Sequence, residues 1–215
     1  MEQLLFRYPM LSSCKNDILS AKDAIIDCYR AGGKLLLCGN GGSCADCEHI
    51  AGELLKGFLQ KRSLKESQKN AMKENCPALD GEMLDKLQGA LPAIPLPSLA
   101  ALCTAFSNDV DAELVYAQGV MAFGKAGDVL IAISTSGNAK NVLAAAKVAK
   151  GLGLKVVALS GHNGGALRAL SDVCITVPEK ETYKTQELHL PVYHYLCAEA
   201  EKHFFASGEA ETTSN

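Results

Sequence analysis

The chain contains 215 residues, of which 48% are hydrophobic, and its formal net charge is −3 at neutral pH. This length corresponds to one domain, with enough apolar residues for a single core. The weakly negative charge gives no reason to expect nucleic-acid binding. No apolar run approaches the ~20 residues that span a bilayer, and the start Met1–Leu4 lacks the basic residues of a signal peptide, so we expect no membrane association.

The predicted elements begin with an N-terminal helical region over residues 1–32, where Leu11, Ile18 and Ile25 belong to an imperfect apolar stripe. Apolar runs then predict five buried strands, at Leu35–Cys38, Ala93–Leu96, Val129–Ile133, Val156–Leu159 and Val173–Val177. Helical patterns lie between and after them, at Cys44–Phe58, Leu99–Phe106, Ala112–Phe123, Ala139–Leu152, Ala166–Leu170 and Thr185–Phe205. Because strands alternate with helices, the sequence predicts an α/β fold with a mostly parallel sheet covered on both faces.

One segment interrupts this alternation. Residues 60–92 are polar, charged and poorly periodic, and the first half of the segment is basic. We expect a helical insertion, either a solvated elaboration or a mobile cap near the mouth of a site. The small polar residues at 207–215 predict a loosely ordered tail.

Two loops rich in glycine, serine and asparagine each follow a predicted strand. Cys-Gly-Asn-Gly-Gly-Ser occupies residues 38–43, and Ser-Thr-Ser-Gly-Asn occupies residues 134–138. Each loop precedes an alanine-rich helical pattern, and the unpaired N–H groups at a helix start bind anions. Parallel strands carry ligands at their carboxyl ends, where both loops fall. The pair of loops therefore predicts a site for a phosphorylated small molecule.

Two helices carry side chains that suit acid–base or metal chemistry. His49 and Glu53 are four residues apart on the helix after the first loop, and Gln186 and His194 lie on the C-terminal helix. Together they offer either a first shell for a divalent metal such as zinc or a general base and a general acid. Two alternatives involve no function: His49 and Glu53 could be a surface pair, and His194 could be a buried structural histidine. Pro191 predicts a kink or a helix start between Gln186 and His194.

Two further features have competing interpretations. Asp109, in Ser107-Asn108-Asp109, could cap a helix or reach sugar hydroxyls. Cys44 and Cys47 form a Cys-x-x-Cys motif that could be redox-active or metal-binding, although no second pair completes a zinc site. The chain has nine cysteines, and this odd number favours reduced thiols in the cytoplasm over a disulfide framework.

Taken in order, these motifs resemble those of sugar isomerase (SIS) domains, and among them the phosphoheptose isomerases. The resemblance rests on residues 38–43, His49 with Glu53, residues 107–109, residues 134–138 and Gln-Glu-x-His at 186–189. It covers about residues 33–205, apart from the insertion. It implies a single SIS domain with a three-layer fold, whose five-stranded parallel sheet has flavodoxin-like topology. It also implies a homo-oligomer, a tetramer or dimer, with active sites at subunit interfaces.

The resemblance further implies an aldose–ketose isomerisation of a sugar phosphate through an enediolate, most simply of sedoheptulose 7-phosphate. Glu53 would move the proton and His194 would be its acid–base partner. The implied zinc ligands are His49, Glu53, Gln186 and His194. The implied substrate-binding residues are Asn40, Gly41, Gly42, Ser43, Asn108, Asp109, Ser134, Thr135, Ser136, Asn138 and Gln186.

Three departures from the family pattern bear on the substrate more than on the fold. Ala139 stands where these enzymes usually carry another phosphate-binding serine, and Tyr183 replaces a frequent acidic residue. The insertion at 60–92 is the third. Some SIS proteins are non-catalytic, as phosphosugar sensors or as scaffolds for the bacterial replication initiator. The replication-associated relatives lack the glutamate and histidine that this chain keeps at Glu53 and His194, so the residues favour an isomerase.

Overall fold

A computed structural model describes residues 1–206 of the chain. The tail predicted at 207–215 lies outside the described residues. Five apolar runs form one sheet, because their side chains are buried on both faces. The strands are β1 (Leu35–Cys38), β2 (Ala93–Pro95), β3 (Val129–Ser134), β4 (Lys155–Gly161) and β5 (Val173–Val177).

All neighbouring strands pair in parallel, in the order β2-β1-β3-β4-β5. In the register, Leu35 of β1 lies between Ala93 of β2 and Val129 of β3. The chain therefore moves to one side of β1 and then to the other, which leaves a crevice between the carboxyl ends of β1 and β3. The predicted five-stranded parallel sheet of flavodoxin-like topology is confirmed.

The structure contains nine α-helices within residues 1–206. They are α1 (Glu2–Arg7), α2 (Lys15–Arg30), α3 (Gly42–Leu55), α4 (Glu66–Asn75), α5 (Gly81–Lys86), α6 (Ala100–Phe106), α7 (Val115–Phe123), α8 (Lys140–Gly151) and α9 (Thr182–Phe205). No helix in this part of the chain is both long and apolar enough to span a bilayer.

The helices divide into two layers, each with its own hydrophobic core. One core joins α2, α3 and α9 to the sheet and includes Leu37, Ile133 and Val192. The other lies on the opposite face under α7 and α8 and includes Leu130 and Ala146. The predicted three-layer α/β arrangement is therefore confirmed.

Two predicted α-helices take a different form. Residues 112–123 divide into a 3₁₀ turn at Ala112–Leu114, followed by α7. The Asp111 side chain caps the 3₁₀ turn and accepts a hydrogen bond from the Glu113 N–H. The pattern at Ala166–Leu170 forms a 3₁₀ helix over Gly165–Leu170, because the run is too short to pay the entropic cost of an α-helical nucleus.

Proline does not interrupt the C-terminal helix. Helix α9 runs without a break through Pro191, so the predicted helix start near this residue is wrong. Pro191 has no N–H to donate to the Glu187 carbonyl, but burial of Val192 and Tyr193 against the core compensates for one missing bond.

The segment at 60–92 leaves the domain at the C-terminal end of α3. Its two ends are joined by hydrogen bonds from the Gly89 N–H to the Arg62 carbonyl and from the Leu91 N–H to the Leu54 carbonyl. Helices α4 and α5 within it are linked through Lys69, which donates to Asp85 at 2.6 Å. This departure point lies about 20 Å along α3 from the glycine-rich loop at its start.

Candidate active site

The first loop turns from β1 into α3 at Gly41. Its φ of 56° and ψ of −120° suit glycine and strain any other residue. A Cβ atom on Gly39 would lie 2.8 Å from the Ser43 Cβ, so the loop closes tightly on the first turn of α3. Ser43 is buried there. The Ser43 hydroxyl and the positive end of the α3 dipole lie at the carboxyl end of β1, while the Ser43 and Cys44 N–H groups donate to the Asn40 and Gly41 carbonyls.

Asn40 fixes this loop to the opposite face of the sheet. Its side-chain amide exchanges two hydrogen bonds with Asn141 of α8, at 2.8 and 2.9 Å. The Tyr116 hydroxyl donates to the Gly39 carbonyl at 2.8 Å and also contacts the Asn40 Oδ1 at 3.1 Å. The first loop is therefore held rigidly beside the start of α8. Asn141 and Tyr116 carry no motif that would have identified them from the sequence.

The second loop follows β3 and leads into α8. Ser134 is buried, and its carbonyl accepts a hydrogen bond from the Ser160 hydroxyl at 2.7 Å. The Ser136 hydroxyl accepts from the Asn138 N–H at 3.2 Å. Gly137 has a φ of 67°, and a Cβ there would overlap the Gly164 carbonyl. The loop is thus packed against the turn after β4, with the hydroxyls of Ser134 and Ser136 at the carboxyl edge of the sheet.

A pocket of about 310 Å³ adjoins this second loop. Thr135 and Ser136 form one wall, and His162 and Lys180 come from the turns after β4 and β5. Glu179 also lines the pocket. The Lys180 ammonium places positive charge in this pocket beside Thr135 and Ser136, together with the negative charge of Glu179. Sequence reasoning did not identify Lys180, because only the strand order brings the β5 turn next to the β3 loop.

Helices α3 and α9 run side by side in the same direction and contact each other at three successive points. At the first, the Gln186 amide lies against Gly42, since a Cβ on Gly42 would be 2.5 Å from the Gln186 Nε2. At the second, His49 contacts His194. At the third, Glu201 binds the residues after α3. The predicted pairing of the two helices is therefore present, and the phosphate loop and the His–Glu pair lie along one helix.

The middle contact gathers three of the predicted functional residues. His49 Nε2 lies 3.2 Å from Glu53 Oε1 and 3.5 Å from His194 Nε2. The Glu53 side chain is 15% exposed, and Lys56 Nζ lies 3.6 Å from its other oxygen. A carboxylate and two imidazoles at this spacing can accept, hold and return a proton.

The environment of His194 favours a neutral ring. Burial lowers the pKa of His194, the nearby His49 lowers it further, and the Glu53 carboxylate opposes both effects. Phe58 packs beside the imidazole, with ring centroids 5.5 Å apart. His194 also lines a groove of about 700 Å³ between α1 and α9. At neutral pH this residue therefore carries one ring proton that it can donate.

The set of four metal ligands stays a prediction. Neighbouring ligands of tetrahedral Zn²⁺, with bonds of about 2.0–2.2 Å, lie roughly 3.3–3.6 Å apart, and the two separations at His49 Nε2 are close to this range. Over residues 1–206, however, the structure contains no group of three or more His, Cys, Asp and Glu side chains that could hold a metal ion. The fourth predicted ligand, Gln186, lies at Gly42, about two helical turns from His49.

Two further side chains contact the cluster from the protein interior. The Tyr193 hydroxyl lies 3.0 Å from His49 Nδ1 and donates to Asp46 Oδ1 at 3.2 Å. Burial raises the pKa of Tyr193, and the adjacent Asp46 raises it further. Burial also raises the pKa of Asp46, against the opposing effects of Tyr193 and His49. Neither residue was identified from the sequence, because an Asp three residues before a His has no specific meaning on its own.

The predicted sugar-binding residues Asn108 and Asp109 contact each other in the structure. Asn108 and Asp109 lie in a π-helical turn at Ser107–Asp111, where Asn108 Nδ2 donates to Asp109 Oδ1 at 2.8 Å. Both side chains are exposed, and this hydrogen bond joins them to each other and not to the two loops.

The Cys44 and Cys47 thiols are unpaired, and burial raises the pKa of both. A reactive Cys-x-x-Cys needs a lowered thiol pKa, so these values argue against redox chemistry.

The comparisons agree with the geometry. A family model described as "SIS domain" matches residues 9–94 and 82–161. A phosphoheptose isomerase of Crocosphaera subtropica is 40% identical over 183 residues, which cover 85% of this chain and 80% of that protein. One from Helicobacter pylori (strain P12) is 37% identical over 194 residues, which cover 90% and 88%. The solved structure of a phosphoheptose isomerase from Francisella tularensis is 30% identical, with a TM-score of 0.75 and 91% coverage of each chain.

Sequence and structure therefore lead to the same assignment. The two loops, the β2-β1-β3-β4-β5 sheet and the cluster of His49, Glu53 and His194 occur together in a chain whose relatives match it over most of their length. The chain belongs to the SIS-domain family, and within it to the phosphoheptose isomerases.

Proposed function

We propose that this protein is an aldose–ketose isomerase that converts sedoheptulose 7-phosphate, or a closely related sugar phosphate, through an enediolate. The observation that supports this most strongly is the cluster in which His49 Nε2 contacts both Glu53 and His194. It lies on the helix that starts at the glycine-rich loop. The names of the relatives support the choice of a heptose phosphate.

The substrate phosphate would bind where the two loops meet. Ser43, Ser134, Thr135 and Ser136 would supply hydroxyls, and the start of α3 would place its positive dipole end beside the phosphate. Asn40, Gly41, Gly42, Asn138 and Gln186 would shape this end of the site and bind the sugar near the phosphate. Lys180 lines the adjacent pocket and would add positive charge near the phosphate.

The reactive end of the sugar would lie toward Glu53. This residue follows Ser43 by ten positions on α3, which is about 15 Å along the helix axis. A phosphate at one end of the helix and a base near the other suit an extended open-chain sugar. The first proposed substrate is therefore a long sugar phosphate, with Asn108 and Asp109 as candidates to contact its hydroxyls.

Glu53 would take the proton from C1 of the ketose and return it to C2. Loss of the C1 proton leaves an enediolate, with negative charge on the oxygen at C2. His194 would donate a proton to that oxygen and accept one from the oxygen at C1, so that the aldehyde forms at C1. Its lowered pKa keeps His194 neutral and able to do both.

The donor set also suits a zinc ion. His49, Glu53 and His194 would hold it, with Gln186 as the fourth ligand after its side chain moves from Gly42. Zn²⁺, when bound, polarises a carbonyl oxygen and stabilises negative charge that develops there. Glu53 has two carboxylate oxygens, so one can bind a cation while the other faces the substrate carbon.

We further infer a homo-oligomer, a tetramer or a dimer, and a cytoplasmic location. His194 lines the open groove between α1 and α9, where Leu4, Tyr8 and Phe58 add apolar surface. A second subunit seated there would complete the site from outside. All nine cysteines are unpaired in the structure, which supports a reducing compartment.

A non-catalytic SIS protein, a sensor or a scaffold, is the alternative. It is disfavoured because a scaffold has no need of the cluster at His49, which the structure brings together from two helices. The discriminating experiment incubates the protein with sedoheptulose 7-phosphate, with and without zinc, and follows the products by proton NMR. Sedoheptulose without phosphate is the control. Conversion of sedoheptulose 7-phosphate but not of sedoheptulose supports the proposal. Binding of sedoheptulose 7-phosphate without conversion would support a sensor.

A further inference from the structure

A chain of polar side chains connects the protein interior to His49. The Tyr193 hydroxyl donates to Asp46 Oδ1 at 3.2 Å and lies 3.0 Å from His49 Nδ1. Tyr193 is 2% exposed. Within the described chain, Asp46 Oδ2 is buried without a hydrogen-bond partner. The phenol is therefore the one link between a buried carboxylate and the imidazole.

This arrangement sets the direction of the hydrogen bond between Tyr193 and Asp46. An ionised carboxylate only accepts hydrogen bonds, so the phenol proton points toward Asp46. The phenol oxygen then has lone pairs for a donor, and His49 Nδ1 is the nitrogen that faces it. The Glu53 carboxylate, 3.2 Å from Nε2, is also an acceptor, so the phenol oxygen and Glu53 compete for a single ring proton of His49. When that proton is on Nδ1, the other nitrogen, Nε2, is free to exchange a proton with Glu53 or to bind a cation.

We propose that Tyr193, held by Asp46, is a positioning residue that keeps the His49 proton on Nδ1 and directs Nε2 toward Glu53 and His194. The inference deepens the proposed isomerase, on which it rests for its effect on turnover. Histidines that act through one nitrogen are commonly fixed by a hydrogen bond from the other, and loss of such a partner costs about 10–100-fold in activity or metal affinity.

The ring packing agrees with a positioning role. The His49 ring stands edge-on to Tyr193, with centroids 5.4 Å apart and an interplanar angle of 74°. It stands edge-on to His194 as well, at 5.0 Å and 86°. Rotation of the His49 ring would break its contacts at both nitrogens. Since 43% of this side chain is exposed, packing alone does not fix it, and the phenol supplies the constraint.

The test is nitrogen NMR of the histidine side chains together with steady-state kinetics, on the full-length protein. The spectra are recorded with a metal chelator present, because a cation bound to Nε2 would keep the proton on Nδ1 in every variant. In the wild type, the His49 Nδ1 resonance should have the shift of a protonated nitrogen. In Tyr193→Phe the Nδ1 proton loses its acceptor, so the signal should move toward that of an unprotonated nitrogen. The kcat should fall about 10–100-fold, with KM changed less than about twofold.

Two variants make the result specific. Tyr29→Phe removes another buried tyrosine hydroxyl, which donates to the Pro92 carbonyl at 3.2 Å, and should leave both the His49 signal and kcat unchanged. Asp46→Leu keeps the phenol but removes the acceptor of its proton, so the phenol can donate to His49 Nδ1 and the His49 signal should shift in the same direction as in Tyr193→Phe. If Tyr193→Phe does not fold, Asp46→Leu decides the question.

The possible outcomes separate this inference from the proposed function. An Nδ1 signal that is the same in wild type, Tyr193→Phe and Asp46→Leu would overturn the positioning role, even if the wild type is an active isomerase. A shifted signal would support it, even if sedoheptulose 7-phosphate is not converted, because the NMR measurement needs no turnover.

Discussion

Arg62 Nε donates to Glu201 Oε1 across 2.8 Å, and neither side chain is exposed to solvent. Glu201 also accepts from the N–H groups of Phe58 and Leu59, both at 2.7 Å. Burial tends to raise the pKa of Glu201, but these hydrogen bonds and Arg62 outweigh it, so the net pKa lies below the usual value. Arg62 in turn donates to the Glu53 carbonyl at 2.8 Å. The ion pair therefore holds the end of α3 that carries the proposed base.

Removal of one partner should be strongly destabilising. Arg62→Met leaves Glu201 charged and buried, which should lower the free energy of unfolding by about 3–5 kcal/mol. Denaturation in urea measures this change. The matched control is Arg30→Met, whose ion pair with Asp27 at 3.4 Å is exposed and should contribute less than about 1 kcal/mol. Equal losses in the two variants would contradict the structural role of Arg62.

The contact between Gly42 and Gln186 predicts a functional cost for a single methyl group. A Cβ on Gly42 would lie 2.5 Å from the Gln186 Nε2, so Gly42→Ala should displace the amide with little loss of stability. Misplacement of a binding group can cost up to about 100-fold in kcat/KM. Gly52→Ala on the same helix meets no atom within 4 Å and should instead stabilise the protein by about 0.5–1 kcal/mol. Unchanged kcat/KM in Gly42→Ala would show that Gln186 does not contribute.

Ala139 is the N-cap of α8 and makes no side-chain cap. Ala139→Ser should add a hydrogen bond to the first turn and raise the free energy of unfolding by about 1 kcal/mol. The new hydroxyl also lies beside the second loop, so the KM for a phosphorylated sugar should fall. Ala144→Ser, inside the same helix, should be slightly destabilising and leave KM unchanged. A higher KM in Ala139→Ser would place the phosphate elsewhere.

Buried His189 predicts a pH dependence of stability. Burial lowers the pKa of His189 from 6.5 to about 4, with a partial offset from the Ser160 backbone. Between these values the unfolded chain binds a proton that the folded chain does not, so stability should fall as the pH drops from 6.5 to 4. The loss attributable to this group is at most about 3 kcal/mol. His189→Leu should remove this part of the pH dependence, whereas replacement of the exposed His203 by Leu should not.

The sheet could be predicted because its strands are uninterrupted apolar runs. Leu35–Cys38 and Val173–Val177 have the predicted bounds in the structure, since a charged residue precedes each run and Gly39 or Pro178 follows it. The 3₁₀ helix at Gly165–Leu170 could not be distinguished from an α-helix, because one or two turns of apolar residues fit both periods.

The candidate site, like the fold, could be predicted from the sequence only in part. His49 and Glu53 could be paired from the sequence, because their spacing of four residues places them on one helical face. Tyr193 and Lys180 could not be found, since their neighbours come from distant parts of the chain. Tyr193 lies in a mainly apolar part of α9, so its sequence context predicts only a core residue.

The central claim is that Glu53 moves the proton between C1 and C2. The most direct test is isomerisation of sedoheptulose 7-phosphate in D₂O by wild type, Glu53→Gln and Glu48→Gln, with deuterium followed by NMR. Glu48, on the same helix, accepts from the Ser98 hydroxyl and is the matched control. We expect deuterium at C2 of the aldose with wild type and Glu48→Gln, and turnover lowered by about 10²–10⁴-fold in Glu53→Gln. Near-normal turnover and deuterium incorporation by Glu53→Gln would contradict the account.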